Sequence, residues 1–297
     1  MTIEWKGIFP AITTPFTAQG AIDHGFLAEH CRWMISAGCS GIVPLGSLGE
    51  GGTLSFAEKR AVLDTVVAAA GAPVVAGIAA LSTGEAVELA RMAEDAGCRG
   101  LMVLPPYVYS TDEREMLAHV SAVIDATRLP CMLYNNPPAY KTDFTPPQIV
   151  RLAERHANLA AVKESSGDVR RITALRALTG DRIAIAIGVD DLVVEAVAAG
   201  AVAWVAGLVN AFPRESVSLF ELARRGESER AAPLYRWFLP LLRMDTVPKF
   251  VQLIKLCQER VSMGSARVRP PRLTLEGAEL VDAEAAIRTA LERRAAP

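Results

Sequence analysis

From its first residues to about residue 221 the sequence repeats one kind of unit. Short apolar runs rich in β-branched residues alternate with longer segments whose apolar positions recur at helical spacing. That alternation is what βα units around a parallel sheet require, since their strands are buried on both faces and their helices on one stripe. The candidate strands are Gly7–Thr13, Gly41–Pro44, Val74–Gly77, Gly100–Val103, Pro130–Tyr134, Leu159–Lys163, Ile183–Ile187 and Val202–Ala206. The candidate helices are Asp23–Ser36, Ser55–Ala70, Thr83–Ala96, Thr111–Thr127, Thr145–Arg155, Asp168–Leu178, Asp190–Ala199 and Pro213–Ala223. Eight of each predicts a TIM-type (β/α)8 barrel.

The boundaries carry matching punctuation. Ser55 followed by Glu58 reads as a capping box. Ala-Gly ends four helices, at Ala37-Gly38, Ala70-Gly71, Ala96-Gly97 and Ala199-Gly200, where glycine suits the turn back into a strand. After Gly226-Glu-Ser-Glu-Arg230 the rhythm changes to helical patterns without strands, with Pro270-Pro271 as a connection. The expected division is a catalytic barrel over residues 1–224 and a C-terminal helical domain over 225–297. An open doubly wound sheet would bring a glycine-rich nucleotide loop after its first strand, and Phe9-Pro-Ala-Ile-Thr-Thr-Pro15 is not one.

Composition excludes several classes of partner. The net charge is −2 and the basic residues are scattered, so neither nucleic acid nor an acidic membrane has a surface to bind. The five cysteines form no Cys-x-x-Cys pair and read as reduced core thiols of a cytoplasmic protein. His24, His30, His119 and His156 lack metal-ligand spacing and fall on expected surface helices, so no metal site is expected. Met1-Thr-Ile-Glu-Trp5 does not resemble a leader peptide, and the apolar stretch 183–209 is broken by Asp190, Asp191 and Glu195.

A barrel of this kind carries its chemistry at the C-terminal strand ends. Of six lysines, Lys163 alone closes an apolar strand, Leu159-Ala-Ala-Val-Lys163. Burial lowers an amine's pKa, and a neutral amine attacks carbonyls to form an imine. The bland alternative is a lysine that snorkels to the rim or pairs with Glu164. One strand earlier, Met132-Leu-Tyr134-Asn135-Asn136-Pro137-Pro138 puts a phenol in the same layer, suited to proton transfer or else to a plain core role. The loop Gly46-Ser47-Leu48-Gly49-Glu50-Gly51-Gly52 offers backbone N–H groups and the Ser47 hydroxyl to a carboxylate, or is simply a tight turn.

Together these segments resemble the dihydrodipicolinate synthase/N-acetylneuraminate lyase family over nearly the whole chain. The family's Gly-Thr-Thr-Gly-Glu loop corresponds to Gly46-Ser47-Leu48-Gly49-Glu50, its Tyr-Asn-x-Pro strand end to Tyr134-Asn135-Asn136-Pro137, and its Lys-Glu to Lys163-Glu164. The resemblance implies a class I aldolase-type mechanism on a small 2-keto or 2-imino acid. Lys163 would form the imine, Tyr134 relay protons, and Ser47 with Gly46 and Leu48 hold the substrate carboxylate. It also implies a homotetramer or dimer that needs neither metal nor organic cofactor.

The departures bear on substrate. Dihydrodipicolinate synthases have a second threonine where this chain has Leu48, and an arginine for a second carboxylate where it has Ala139. Their relay tyrosine from a neighbouring subunit falls on Val108, with Tyr107 or Tyr109 as substitutes. The strings from Asn135 to Asp143, Lys163 to Thr173 and Trp204 to Asn210 are similar instead to pyrroline-4-hydroxy-2-carboxylate deaminases of hydroxyproline catabolism. That subgroup makes Asn136, Tyr140, Ser165, Val189 and Val205 candidate pocket residues. The competing readings are a 2-keto-3-deoxy sugar acid aldolase or dehydratase, a 4-hydroxy-tetrahydrodipicolinate synthase, and a non-catalytic binding barrel.

Overall fold

The structure, a computed structural model, describes residues 3–106 and 112–294. Seven parallel strands form its sheet: β1 (Gly7–Pro10), β2 (Val75–Ile78), β3 (Gly100–Val103), β4 (Cys131–Asn135), β5 (Leu159–Glu164), β6 (Ala184–Ile187) and β7 (Ala203–Ala206). Their order is β1-β7-β6-β5-β4-β3-β2. The expected second strand, Gly41–Pro44, closes the remaining gap as single bridges, Ala11 to Val43 and Ile42 to Val74. Hydrogen bonds run on both its sides: Val43 N donates to Pro10 O at 2.8 Å and Val75 N to Ile42 O at 2.9 Å. Pro44 has no N–H to extend the ladder and Leu45 turns into the left-handed region at φ 63°, so pairing stops after two residues. The sheet is thus curled into the eight-segment barrel that the repeat predicts.

Helices follow the strands with the predicted punctuation. Ser55 caps Phe56–Ala70 in a capping box with Glu58, and Gly38, Gly71, Gly97 and Gly200 all have positive φ. Two readings shift. The expected helix 190–199 divides into a 3-10 turn, Asp190–Leu192, and a helix Val193–Ala198. Between β4 and the helix expected from Thr145, where no element was assigned, lies a four-residue helix, Pro137–Tyr140, capped by Asn136. Beyond residue 225 come helices Ser228–Leu242, Phe250–Arg260 and Gly277–Glu292, with a 3-10 turn at Arg243–Asp245.

The core is built from strand residues and inward helix stripes, with Phe9, Phe144, Trp204, Phe212, Phe220 and Phe238 fully enclosed. All five cysteines are buried and free. The histidines correct the sequence reading. His30, His119 and His156 are buried, each bonded across helices: to Asn210 at 3.1 Å, Thr83 at 3.0 Å and Ser121 at 2.9 Å. A polar residue on a core-facing stripe is stable there once a partner side chain meets it. No helix of the described residues is long and apolar enough to cross a membrane.

Candidate active site

A cavity of about 820 Å³ opens at the C-terminal ends of the strands. The parallel register sets Tyr134 of β4 beside Lys163 of β5, and the Lys163 amine lies 4.0 Å from the centroid of the Tyr134 ring. Gly188, at the end of β6, leaves room for this. A Cβ there would fall 2.2 Å from both Lys163 Cε and Ser165 Oγ.

Lys163 is 6% exposed. Among the described residues no ion pair or hydrogen bond holds its amine. Burial pushes it down to about 8, against the opposing pull of Asp245 and then Asp190. The alternative of a pair with Glu164 fails on strand alternation. Glu164 points to the other face of β5, where Asn135 Nδ2 donates to it at 3.2 Å and Ser166 N at 2.7 Å. Behind it Arg171 grips Asp143 with two contacts of 2.6 Å, anchoring the Asn135 corner.

Tyr134 is buried, and burial pushes its phenol up to about 12. Asn136 Nδ2 donates to the phenol oxygen at 2.8 Å, while Asn136 Oδ1 accepts from Ala139 N at 3.2 Å to cap the short helix. That helix carries Tyr140 edge-on to Tyr134, with ring centroids 5.8 Å apart. The Tyr140 hydroxyl is hydrogen-bonded to the Ser47 hydroxyl. Gly46 and Leu48 line the cavity beside Ser47, Ser165 lies next to Lys163, and Val189 and Val205 supply apolar wall. The Ser165 hydroxyl is buried without a hydrogen-bond partner. All ten sequence-derived candidates therefore reach one cavity. Tyr107, Val108 and Tyr109 lie outside the described residues.

Sequence reasoning missed two carboxylates. Asp190 is fully buried after β6, accepting from Trp204 Nε1 at 2.8 Å, Leu208 N at 2.7 Å and Gly207 N at 3.1 Å. Burial pushes it up to about 6. Its place just beyond a strand end was a usable signal. Asp245 comes from the turn Arg243–Asp245 and settles over Gly207, also lining the cavity. Burial and the nearby Asp190 raise its pKa well above the usual carboxylate range. No barrel repeat pointed to it.

The arrangement is chemically specific. An amine with a depressed pKa, a phenol against it and a hydroxyl-bearing loop can together condense with a 2-oxo acid and shuttle the protons.

A sequence profile described as the Dihydrodipicolinate synthetase family matches residues 4–290. The chain belongs to this family. It is 34% identical over 291 residues to the 4-hydroxy-tetrahydrodipicolinate synthase of Agrobacterium fabrum, covering 97% of this chain and 98% of that one. It is 33% identical over 268 residues to the enzyme of the same name from Methanothrix thermoacetophila, covering 90% of each. The solved 4-hydroxy-tetrahydrodipicolinate synthase of Methylacidiphilum fumariolicum SolV superimposes with a TM-score of 0.93 at 28% identity, covering 98% and 97% of the two chains. The dihydrodipicolinate synthase of Aquifex aeolicus gives 0.90 at 26%, covering 97% of each. As a dihydrodipicolinate synthetase family member, the chain is a class I aldolase-type lyase that works through a lysine Schiff base.

Proposed function

We propose that Lys163 is the Schiff-base lysine and that the substrate is a 4-hydroxy-pyrroline-2-carboxylate, deaminated to 2-oxoglutarate semialdehyde. The observation that carries the reading is that, among the described residues lining the cavity beyond Lys163, no cation is placed for a second carboxylate. A synthase that joins two carboxylates needs a cation for the second, and the position expected to hold it is Ala139. Asp191 and Asp245 line that cavity. The other cationic lining residue among the described residues, Arg272, leans toward Glu50 at 3.8 Å. A wall of carboxyl groups gives a second carboxylate no cation to pair with and suits a hydroxyl and an amine.

In this reading residues 1–224 form the catalytic barrel, and the helical segment 225–297 adds one wall of the site. The Gly46-Ser47-Leu48 loop holds the carboxylate. Neutral Lys163 attacks C2 of the cyclic imine, the C2–N bond to the ring nitrogen breaks, and that nitrogen leaves as an amine on C5. Tyr134 moves the protons between the nitrogens and C3. Loss of the 4-hydroxyl as water, followed by hydrolysis of the C5 imine and then of the Lys163 imine, releases ammonia and the semialdehyde. One water is lost and two are consumed, so the net reaction takes up one water.

The named relatives support synthase activity as the competing outcome, and a 2-keto-3-deoxy sugar acid would use the same lysine. One panel separates them. Ammonia from the hydroxy-pyrroline carboxylate supports the proposal. Condensation of pyruvate with aspartate semialdehyde, or water or pyruvate release from a deoxy sugar acid without any ammonia, overturns it.

A further inference from the structure

Asp245 stands apart from the other carboxylates near Lys163. Asp190 has its oxygens filled by three donors, and Asp191 lies 3.5 Å from Arg243 Nε. Among the described residues no N–H or O–H donates to Asp245. Its place is nonetheless built. Gly207 has no side chain, and a Cβ there would lie 2.0 Å from Asp245 Oδ1 and 2.5 Å from Cγ. The carboxylate therefore occupies the volume a side chain at 207 would take, in the lining of the cavity that holds Lys163. Tyr134 lies with its ring against the amine, its oxygen already bonded by Asn136 at 2.8 Å. An acid–base group without a donor of its own thus lines the same cavity as the lysine and the phenol.

We propose that Asp245 is a catalytic acid–base residue of this enzyme, protonating the hydroxyl that leaves from C4 of the Lys163-bound substrate. The inference rests on the hydroxy-pyrroline reading above. The enamine electron pair of the lysine adduct moves from C2–C3 to form C3=C4 as the C4–O bond breaks. The bonding pair departs with oxygen, which takes the Asp245 proton and leaves as water. The Asp245 carboxylate then removes a proton from C5, and the resulting pair forms C4=C5 while the conjugated system shifts back onto the lysine nitrogen. Asp245 is again an acid, and reprotonation at C4 gives the C5 imine that water hydrolyses. A hydroxyl departing without a proton would leave as hydroxide, so removal of the acid should cost the elimination step and not imine formation.

The test uses the full-length enzyme and Asp245→Asn. With pyruvate, which has no leaving group, borohydride trapping on Lys163 and deuterium exchange at the pyruvate methyl should stay within about threefold of wild type, which also shows that the variant folds. With the hydroxy-pyrroline carboxylate, kcat for ammonia release should fall by at least about 100-fold with little change in KM. The 4-chloro analogue, whose chloride leaves without a proton, should restore most of that loss. On the wild-type enzyme a solvent deuterium isotope effect should accompany the hydroxyl substrate and vanish with the chloro analogue. Asp245→Asn turnover within about threefold of wild type, or an equal loss on both substrates, or loss of trapping as well, overturns the inference. A wild-type enzyme that releases no ammonia instead overturns the reading beneath it.

Discussion

Lys163 and Lys255 are both buried and both lie over an aromatic ring, yet they are held in opposite ways. The Lys255 amine donates to Thr14 O at 2.8 Å, Arg267 O at 2.8 Å and Glu50 Oε1 at 2.5 Å, and stands 4.4 Å over Phe16. Every proton of that ammonium has an acceptor. The Glu50 carboxylate is completed by Arg269 N at 3.0 Å. Lys163 has the ring of Tyr134, two carboxylates farther off, and a cavity. Burial lowers the pKa of both amines. The difference is in what surrounds the amine: Lys255 has its hydrogens spent on structure, and Lys163 lines open volume. Lys255 fastens the C-terminal segment to the loop that carries Ser47. Lys163 is left free to react.

That contrast can be broken or sharpened by substitution. Lys163→Ala should lower turnover on the true substrate by at least about 10⁴-fold, in steady-state assays of a protein whose circular dichroism is unchanged. Lys255→Ala should fold poorly, and the residual folded enzyme should keep its Lys163 chemistry. Tyr134→Phe comes next, with an expected loss of about 10²- to 10⁴-fold in kcat while the substrate imine still forms on borohydride trapping.

Stability reverses the ranking. Lys255→Met strands Glu50 in the interior and should cost about 3–5 kcal/mol in denaturant unfolding. Lys163→Met removes a poorly solvated amine and should not lower stability at neutral pH. A large loss in the second variant would show that the Lys163 charge is structurally paired. The smallest effect is in pH. With Lys163 down to about 8, kcat/KM should fall about tenfold per unit as pH drops below 8, because only the neutral amine attacks. It should level off above 8. A profile flat from pH 6 to 9 would contradict the assignment.

The barrel was legible because eight segments repeat one pattern, so errors at single boundaries did not alter the topology. Lys163 and Tyr134 were legible for a local reason. Each closes an apolar strand, and adjacent parallel strands bring residues at their ends into one layer. Asp245 was not legible in this way. It meets Gly207 across the fold from a segment without strands, and its role depends on the volume that a missing side chain leaves. The buried histidines were misread because helical periodicity marks a face without revealing that a hydroxyl or amide waits on the neighbouring helix. Lys255 shows the complementary limit. Its sequence context gave no hint of the Glu50 partner more than two hundred residues away.

The most direct test of a reactive, unpaired Lys163 is reductive trapping on the wild-type enzyme. Incubation with pyruvate and borohydride, followed by peptide mass mapping, should give one stable adduct on the peptide that carries Lys163 and none on that of Lys255. An unmodified Lys163, or an adduct found on another lysine, would contradict the account.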